Sequence, residues 1–581
     1  MRSCRVISGA YDLVGFIGAD RSHGAGRTLT TSAGRPYIPV GRNVPHQELI
    51  DTVTDPATPP AAMSIMLHRR ALREPDRVFL RFGDRSWTYA AAAREAAALA
   101  GALSRLGVRP GDRVALMLHN APEFVFCALA VSWAGAVEVP VNTALKGDVL
   151  RHQITDCGAR LLVVHAPLLA RLLPVLDGLE PVTVVVVDAA DEELPAGCER
   201  FEALDTPAMP DPVVADAATL SAIMYTSGTT GRAKGVEVTH GHAHRFAEDW
   251  IRAVGYTRDD VLLTPLPLFH SIARTLGVLP TLMAGSQLCV VERFSASRFW
   301  DQARAVDATI VHGIFGMVPI LLNQPPRADD RDHRVRRFYI GPSALSAAFL
   351  ERFGCEVIEV YGATETGVVT LFEPGEEVRA GSCGRANART YDVDVVDDLD
   401  HPVPDGTVGE IVVRSRDPWT LLTGYHGRPE ETAEAFRNLW FHTGDYGRRD
   451  TDGSFTFVDR KKDAIRRRGE NITSAEVESV VNAHPAVQES AVIAVPSDLG
   501  EDDVKACVVL GPGAELDMAE LIAFLDERLP YFMVPRYIEI LPELPKTANE
   551  KVQKVQLRQM GERGITAQTW DREAHGITVT R

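Results

Sequence analysis

The sequence predicts an α/β fold, and three observations carry that reading. From Ala61 onward, short apolar runs rich in β-branched residues alternate with helical stretches, the order expected of α/β layers with mainly parallel sheets. Between Tyr391 and Ser415 the runs shorten and alternate in polarity, YDVDVVD and GEIVVRS around the turn PDGTVG, which predicts a small antiparallel β subdomain. A dense basic stretch from Arg460 to Arg468 then precedes a unit of about 100 residues with mixed strand and helix patterns, a size typical of a separate α+β domain.

Taken in order, residues 1–60 lack sustained periodicity and end in DPATPP. They are read as an extension, because their arginines and serines surround no continuous apolar segment of the kind a signal peptide has. Tyr89–Leu106 is an alanine-rich amphipathic helix stopped by GVRPG, and Val114–Leu118 is a short buried strand. Phe124–Val137 is the most apolar run; it falls short of the ~20 residues that span a bilayer and reads as a buried helix. Strands are expected at Val137–Val141, Leu161–His165, Val182–Asp188, Val261–Leu263, Gln287–Val291 and Thr309–His312, then a hairpin strand at Gly453–Val458. In the last unit, Thr473 and Glu476 form a capping box ahead of a helix, followed by strands at Val487–Val495 and Cys507–Leu510 and a helix at Met518–Leu529. The division expected is an extension (1–60), a large domain (61–461), a small C-terminal domain (462–562) and a tail (563–581).

A length of 581 residues with 45% hydrophobic and 24% charged residues is globular composition for several compact units. The formal net charge of −17 argues against a nucleic-acid binder, which carries a basic face. Eight cysteines stand without C-x-x-C pairing, so neither a zinc site nor a disulfide framework is signalled and a reducing, cytoplasmic setting fits.

The chemistry centres on Tyr225–His240, YTSGTTGRAKGVEVTH. Ser, Thr and Gly bury little apolar surface, but glycines let backbone wrap a ligand, and hydroxyls with free N–H groups present donors to phosphate oxygens. Lys234 adds a cation. The spacing is not that of a Walker A loop. The run follows the apolar stretch Leu220–Met224 and is expected to lead into a helix, where ligands of α/β sheets sit. Read alone, it is equally well a flexible turn.

Further constellations follow at intervals: PLPLFHS (Pro265–Ser271), YGATETG (Tyr361–Gly367), HTGD (His442–Asp445), DRKKD…GEN from Asp459 and PKTANEKVQK (Pro545–Lys554). An aromatic face can stack on a base, a carboxylate beside phosphates is a natural Mg²⁺ ligand, and a carboxylate after a tight turn can accept from ribose hydroxyls. By their order and spacing the chain resembles the adenylate-forming superfamily of acyl-CoA synthetases, peptide-synthetase adenylation domains and luciferases, from about Ala61 to Arg558. FSASRFW, LLNQPPRADDRDHRVRRFY and DRKKDAIRRRGENITSAEVE look most like carnitine/crotonobetaine–CoA ligases and related carboxylate–CoA ligases.

The resemblance implies an ATP-dependent carboxylic acid–CoA ligase working through an acyl-adenylate, with ATP, Mg²⁺ and coenzyme A. Thr226, Ser227, Gly228, Thr229, Thr230, Gly231 and Lys234 would hold the departing phosphates. Glu365 would ligate Mg²⁺ and Thr364 would contact the α-phosphate. Tyr361 with Gly362 would face adenine, against Gly341, Pro342 and Ser343. Asp445 and Arg460 would hold the ribose. Lys551 would bridge the acyl carboxylate and the α-phosphate, although Glu550 stands before it where many members have glycine. The small C-terminal domain would be mobile about a hinge at Lys462, with Gly469 lining the thiol route and Arg467 and Arg468 attracting CoA phosphates.

His270 would line the acyl pocket with Ser271, Ile314, Phe315, Gly316 and Gly341, a set without an acid. That favours a hydrophobic, medium-sized or bulky acid over a quaternary ammonium, which wants a carboxylate or aromatic cage. A carrier-protein thiol is the alternative acceptor, and homodimerisation stays open. A non-catalytic nucleotide-binding relative is argued against by Lys234, Glu365, Asp445 and Lys551. His240 and His244 share a helix face at i, i+4, but nothing nearby supplies a third metal ligand.

Overall fold

The computed structural model describes residues 62–179, 182–189, 193–204, 207–226, 233–314, 316–339, 343–373, 375–461, 465–467, 470–472, 474–497, 502–546 and 552–579. The extension 1–60 lies outside them. Two seven-stranded sheets dominate. The first runs Cys198–Arg200, Thr183–Val187, Leu161–His165, Arg113–Met117, Val137–Pro140, Leu220–Thr226 and Lys234–Thr239. All its pairings are parallel except the last. The second runs Glu356–Ile358, Arg337–Tyr339, Ile310–His312, Val261–Thr264, Gln287–Val290, Val78–Phe82 and Arg85–Thr88, with one antiparallel edge pair.

Both faces of the first sheet are covered, so its strands read as near-continuous apolar runs. Successive residues serve different cores: Val114, Leu116, Leu161 and Val163 enter the main core, while Ala115, Met117, Leu162 and Val164 enter a second one. In the helix Pro122–Trp133 every residue but Glu123 is buried, and no helix among the described residues is long and apolar enough to cross a membrane.

Beyond the parallel layers, Tyr391–Val396, Gly409–Ser415, Phe441–Arg449 and Phe455–Arg460 form a fully antiparallel sheet, as the alternating patterns predict. The C-terminal unit pairs Val487–Pro496 with Asp502–Leu510 antiparallel, and the latter with Tyr537–Ile540 in parallel. Residues past 562, expected as a tail, instead complete this sheet. Trp570–Asp571 pairs with Tyr537–Ile540, which covers an otherwise unpaired strand edge. Arg536 reaches Asp503 at 2.9 Å and Asp571 at 3.1 Å, and the buried Lys505 bonds Glu539 and the Gly564 carbonyl. A two-residue strand is too short for periodicity to reveal.

Candidate active site

The loop expected to cradle phosphates joins two strands rather than a strand and a helix. Leu220–Thr226 pairs antiparallel with Lys234–Thr239, Thr226 opposite Lys234. Val236 and Val238 are buried and Glu237 half-buried, the alternation that makes VEVT a strand; the helix His240–Val254 starts one residue later. Gly235 is required here, because a Cβ would lie 2.6 Å from Ile223 Cγ2. Ser227, Gly228, Thr229, Thr230 and Gly231 lie outside the described residues. Lys234 makes an ion pair with Glu431 and lies 5.0 Å from the centroid of the Tyr425 ring.

YGATETG folds as a tight hairpin, Tyr361–Ala363 against Gly367–Leu371. Gly362 admits no side chain, since a Cβ would sit 1.9 Å from the Gly367 carbonyl oxygen. The hairpin aims Glu365 toward the loop strand: the Thr226 hydroxyl is 3.4 Å and the Tyr425 hydroxyl 3.5 Å from Glu365 Oε1. Burial holds the Glu365 carboxyl above its ordinary range, because the charged form is desolvated. A cation would restore that charge. Mg²⁺ fits the donor set, since it takes one or two protein carboxylates and completes its shell with water and substrate phosphates; no cage of three or more His, Cys, Asp or Glu occurs among the described residues. Thr364 Oγ1 lies 3.2 Å from Ser271 Oγ, so the hairpin also touches the start of the helix Ser271–Ala284.

At the far end, Asp445 and Arg460 face each other across adjacent strands. Arg460 Nε is 2.9 Å from Asp445 Oδ1, and the Tyr361 hydroxyl donates to Asp445 Oδ2 at 2.9 Å. The Asp445 amide bonds the Thr443 hydroxyl at 3.1 Å. Phe457 stacks beside Tyr361, with centroids 6.0 Å apart. One ring, one carboxylate and one guanidinium are thereby joined, the groups a nucleoside needs for stacking and for its hydroxyls.

His270 stands immediately before the helix Ser271–Ala284, its ring 4.5 Å from that of Phe269. Ile314 packs on the main core, and a Cβ at Gly316 would meet nothing within 4 Å. Phe315, Gly341 and Pro342 lie outside the described residues. Ser343 is buried; its amide donates to Glu359 Oε2 at 2.5 Å and its hydroxyl to the Ser382 carbonyl at 3.1 Å. Glu359, Tyr425, Glu431 and Phe457 are site residues that sequence reasoning missed. Only Glu359 had a signal, as an acid two positions before Tyr361 at the end of an apolar strand.

Among the described residues, the cations of the basic stretch do not form one surface. Arg460 belongs to Asp445, and Lys461 pairs with Asp398 at 3.0 Å and Glu410 at 3.3 Å. Arg467, expected to attract CoA phosphates, has a side chain only 2% exposed. It pairs with Asp503 at 2.9 Å and donates to the carbonyls of Phe532 and Val534, so it is a structural cation of the C-terminal unit. Lys462, Arg468, Gly469 and Lys551 lie outside the described residues. His240 and His242 are buried and His244 is half-buried, and desolvation holds each below the usual histidine range.

One end of this site offers a cation and hydroxyls suited to phosphates, the other a ring and a carboxylate suited to a nucleoside, and a helix that begins just after a histidine borders the middle. That is the layout of an adenylate-forming enzyme. The chain belongs to the AMP-binding enzyme family, which matches residues 67–426, and the AMP-binding enzyme C-terminal domain matches residues 476–551. It is 35% identical over 494 residues to crotonobetaine/carnitine–CoA ligase of Salmonella typhi, covering 82% of this chain and 93% of that one. An anthranilate–CoA ligase solved with anthranoyl-AMP superposes with a TM-score of 0.78 at 27% identity, covering 86% and 98% of the two chains. ATP-bound MatB from Rhodopseudomonas palustris gives 0.77 at 28%, with the same coverage. The protein is an ATP-dependent, AMP-forming acid–CoA ligase that uses ATP, Mg²⁺ and coenzyme A.

Proposed function

We propose that the substrate is a hydrophobic, medium-sized or bulky carboxylic acid. The observation that carries this is the neutrality of the acyl side. Ile272, Ile314 and Phe269 supply apolar surface, and His312 is fully buried and held down to about 3 by burial, hence uncharged at neutral pH. A quaternary ammonium acid of the kind the Salmonella relative is named for would want a carboxylate or aromatic cage.

In the first half-reaction a carboxylate oxygen attacks the α-phosphorus of ATP, the bond to the β-phosphate bridge breaks, and pyrophosphate leaves. Two anions meet, so catalysis rests on positioning and positive charge. Lys234 and the Thr226–Gly231 loop hold the leaving phosphates; Thr364 contacts the α-phosphate, and Lys551 spans it and the carboxylate. Glu365 would hold Mg²⁺, which would supply neutralisation of phosphate charge. Tyr361, with Gly362, Gly341, Pro342 and Ser343, binds adenine, while Asp445 and Arg460 fix the ribose. In the second half-reaction the CoA sulfur attacks the acyl carbonyl, the C–O bond to AMP breaks, and the thiol proton is lost to solvent. Rotation of the C-terminal domain about Lys462 withdraws Lys551 and admits the thiol past Gly469. His270 lines the acyl pocket. Residence in the cytoplasm belongs to this reading, and the described cysteines are unpaired thiols.

The test is acid-dependent ATP–pyrophosphate exchange over a panel pairing aryl and branched acids with quaternary ammonium acids of equal size, followed by mass spectrometry with CoA present. Apolar acids should exceed their ammonium counterparts at least tenfold in kcat/KM and appear as acyl-CoA. A preference for the ammonium acids overturns the substrate class. Adenylate that CoA leaves unconsumed points to a carrier-protein thiol instead.

A further inference from the structure

Away from the candidate nucleotide site, a buried ion pair ties a strand of the first large sheet to the helix Ser271–Ala284. The side chains of Arg274 and Glu138 are 3% and 1% exposed. Both Nε, at 2.8 Å, and Nη2 of Arg274 donate to Glu138 Oε2. Glu138 stands in the strand Val137–Pro140 and is paired with Ala222 of the strand Leu220–Thr226, which leads directly into the phosphate loop. Arg274 sits in the first turn of the helix Ser271–Ala284, with its amide bonded to the His270 carbonyl at 2.9 Å. Three residues earlier, Ser271 meets Thr364. The pair therefore joins the element bearing the phosphate loop to the element bearing the acyl-side residues.

Such a pair is a poor device for stability alone. Desolvating two charges offsets their attraction, and apolar side chains of similar volume are commonly as stable or more so. What two N–H donors on one carboxylate oxygen supply is direction, because they accept one relative placement of strand and helix. The surroundings are built for it. A small cavity beside the pair is lined by Ser132, Ser221 and His240 on one side and by the apolar Met63, Ala128, Ala243 and Leu279 on the other. Glu138 Oε1 and Ser221 Oγ have no hydrogen-bond partner among the described residues, the polar groups that a structural water would satisfy. His240 is held down to about 4 by burial and then by Arg274, so it brings no competing charge at neutral pH.

We propose that Glu138 and Arg274 are a positioning pair that sets the acyl-side helix against the phosphate loop, and thereby the approach of the carboxylate to ATP. The inference rests on the reading of Thr226–Gly231 and His270–Ser271 as the two sides of the adenylation site. Misplacing reacting groups by about 1 Å can cost ~10²-fold in rate, so the effect belongs in kcat.

The full-length protein is assayed by ATP–pyrophosphate exchange with its best acid; exchange by the wild type establishes the site reading independently. The double variant Glu138→Met/Arg274→Met removes both charges together. It should unfold at or above the wild-type temperature while kcat for exchange falls at least tenfold, with KM for ATP within about threefold. Arg274→Lys keeps the charge and loses the two-donor geometry, so its kcat should fall between the two. Wild-type kcat in a stable double variant, or a loss seen wholly in KM, overturns the proposal. Should the double variant not yield soluble protein, Arg274→Lys decides alone: wild-type kcat overturns the pair's role, and a lowered kcat with unchanged KM upholds it.

Discussion

Asp459 Oδ2 accepts the amide of Ser474 at 2.9 Å, and the Ser474 hydroxyl donates to the same oxygen. Asp459 is in the last strand of the large domain, and Ser474 is the first residue of the helix Ser474–Asn482 in the C-terminal unit. The stretch between them holds Lys462. A carboxylate at a helix N-terminus satisfies an orphan amide and favours the dipole. Here it comes from fifteen residues upstream, where the sequence had pointed to a local capping box at Thr473, which lies outside the described residues. Asp459→Ala should destabilise the protein by about 1–2 kcal/mol, and Asp459→Asn by less. Urea unfolding measures both, and equal stability of Asp459→Ala and wild type would show the contact to be idle.

Tyr361→Phe removes one hydrogen bond to Asp445 and keeps the ring. If Tyr361 stacks on adenine while Asp445 binds ribose, KM for ATP should rise roughly two- to tenfold with kcat nearly unchanged. Arg460→Ala removes a charge-assisted bond and should lower kcat/KM for ATP by roughly 10–100-fold. Steady-state kinetics with ATP varied would contradict the nucleoside assignment if neither variant moved.

Lys551→Ala separates the two half-reactions. Exchange should fall by about 10²-fold or more, because two anions must then meet without that cation. Thioester formation from preformed acyl-adenylate and CoA should stay within a few-fold of wild type. A variant that adenylates normally removes Lys551 from the mechanism.

Arg467→Ala distinguishes a structural cation from a CoA contact. Removing one partner of a buried pair typically costs about 3–5 kcal/mol. Stability to urea should drop accordingly, with KM for CoA and its salt dependence unaltered in the folded fraction. A raised KM for CoA without loss of stability would return Arg467 to the surface role.

Glu410 carries a pH dependence. Burial opposes its ionisation, but the hydrogen bond from His442, the charge of Lys461 and the Gly444 amide together hold it down to about 2, against about 4.3 in an unstructured chain. A carboxyl depressed by folding contributes stability that is fully present above its unfolded value and is lost as pH falls through the folded one. Thermal stability should therefore drop between roughly pH 4.5 and pH 2, and Glu410→Gln should flatten that part of the profile. An unchanged acid limb in the variant would show that other carboxylates govern it.

Much of the architecture was legible because periodicity reports burial directly. Alternating and continuous apolar runs located the central strands of the two large sheets and most of the antiparallel subdomain, but not Val78–Phe82, Arg85–Thr88, Cys198–Arg200, Arg337–Tyr339 or Phe441–Arg449, whose polar or very short runs show no clear period. The loop at Thr226 was legible in composition but not in context: VEVT is four residues long, and its strand identity depends on pairing with Leu220–Thr226. Arg467 was misjudged for a related reason. A charged run reads as a solvated face until a buried partner such as Asp503, thirty-six positions later in the chain, is brought against it.

The sequence by itself determined the class of chemistry, since each motif carries its own local geometry: a glycine where no Cβ fits, a hydroxyl run for phosphates, an acid after a tight turn. The tertiary structure alone decided which charges meet. That Tyr361 leans on Asp445, that Lys234 answers Glu431, and that Glu138 on one sheet grips Arg274 from the helix bearing the acyl side are relations between residues far apart in the chain. Electrostatic energy depends on separation and burial in space, and neither can be read along a line of residues.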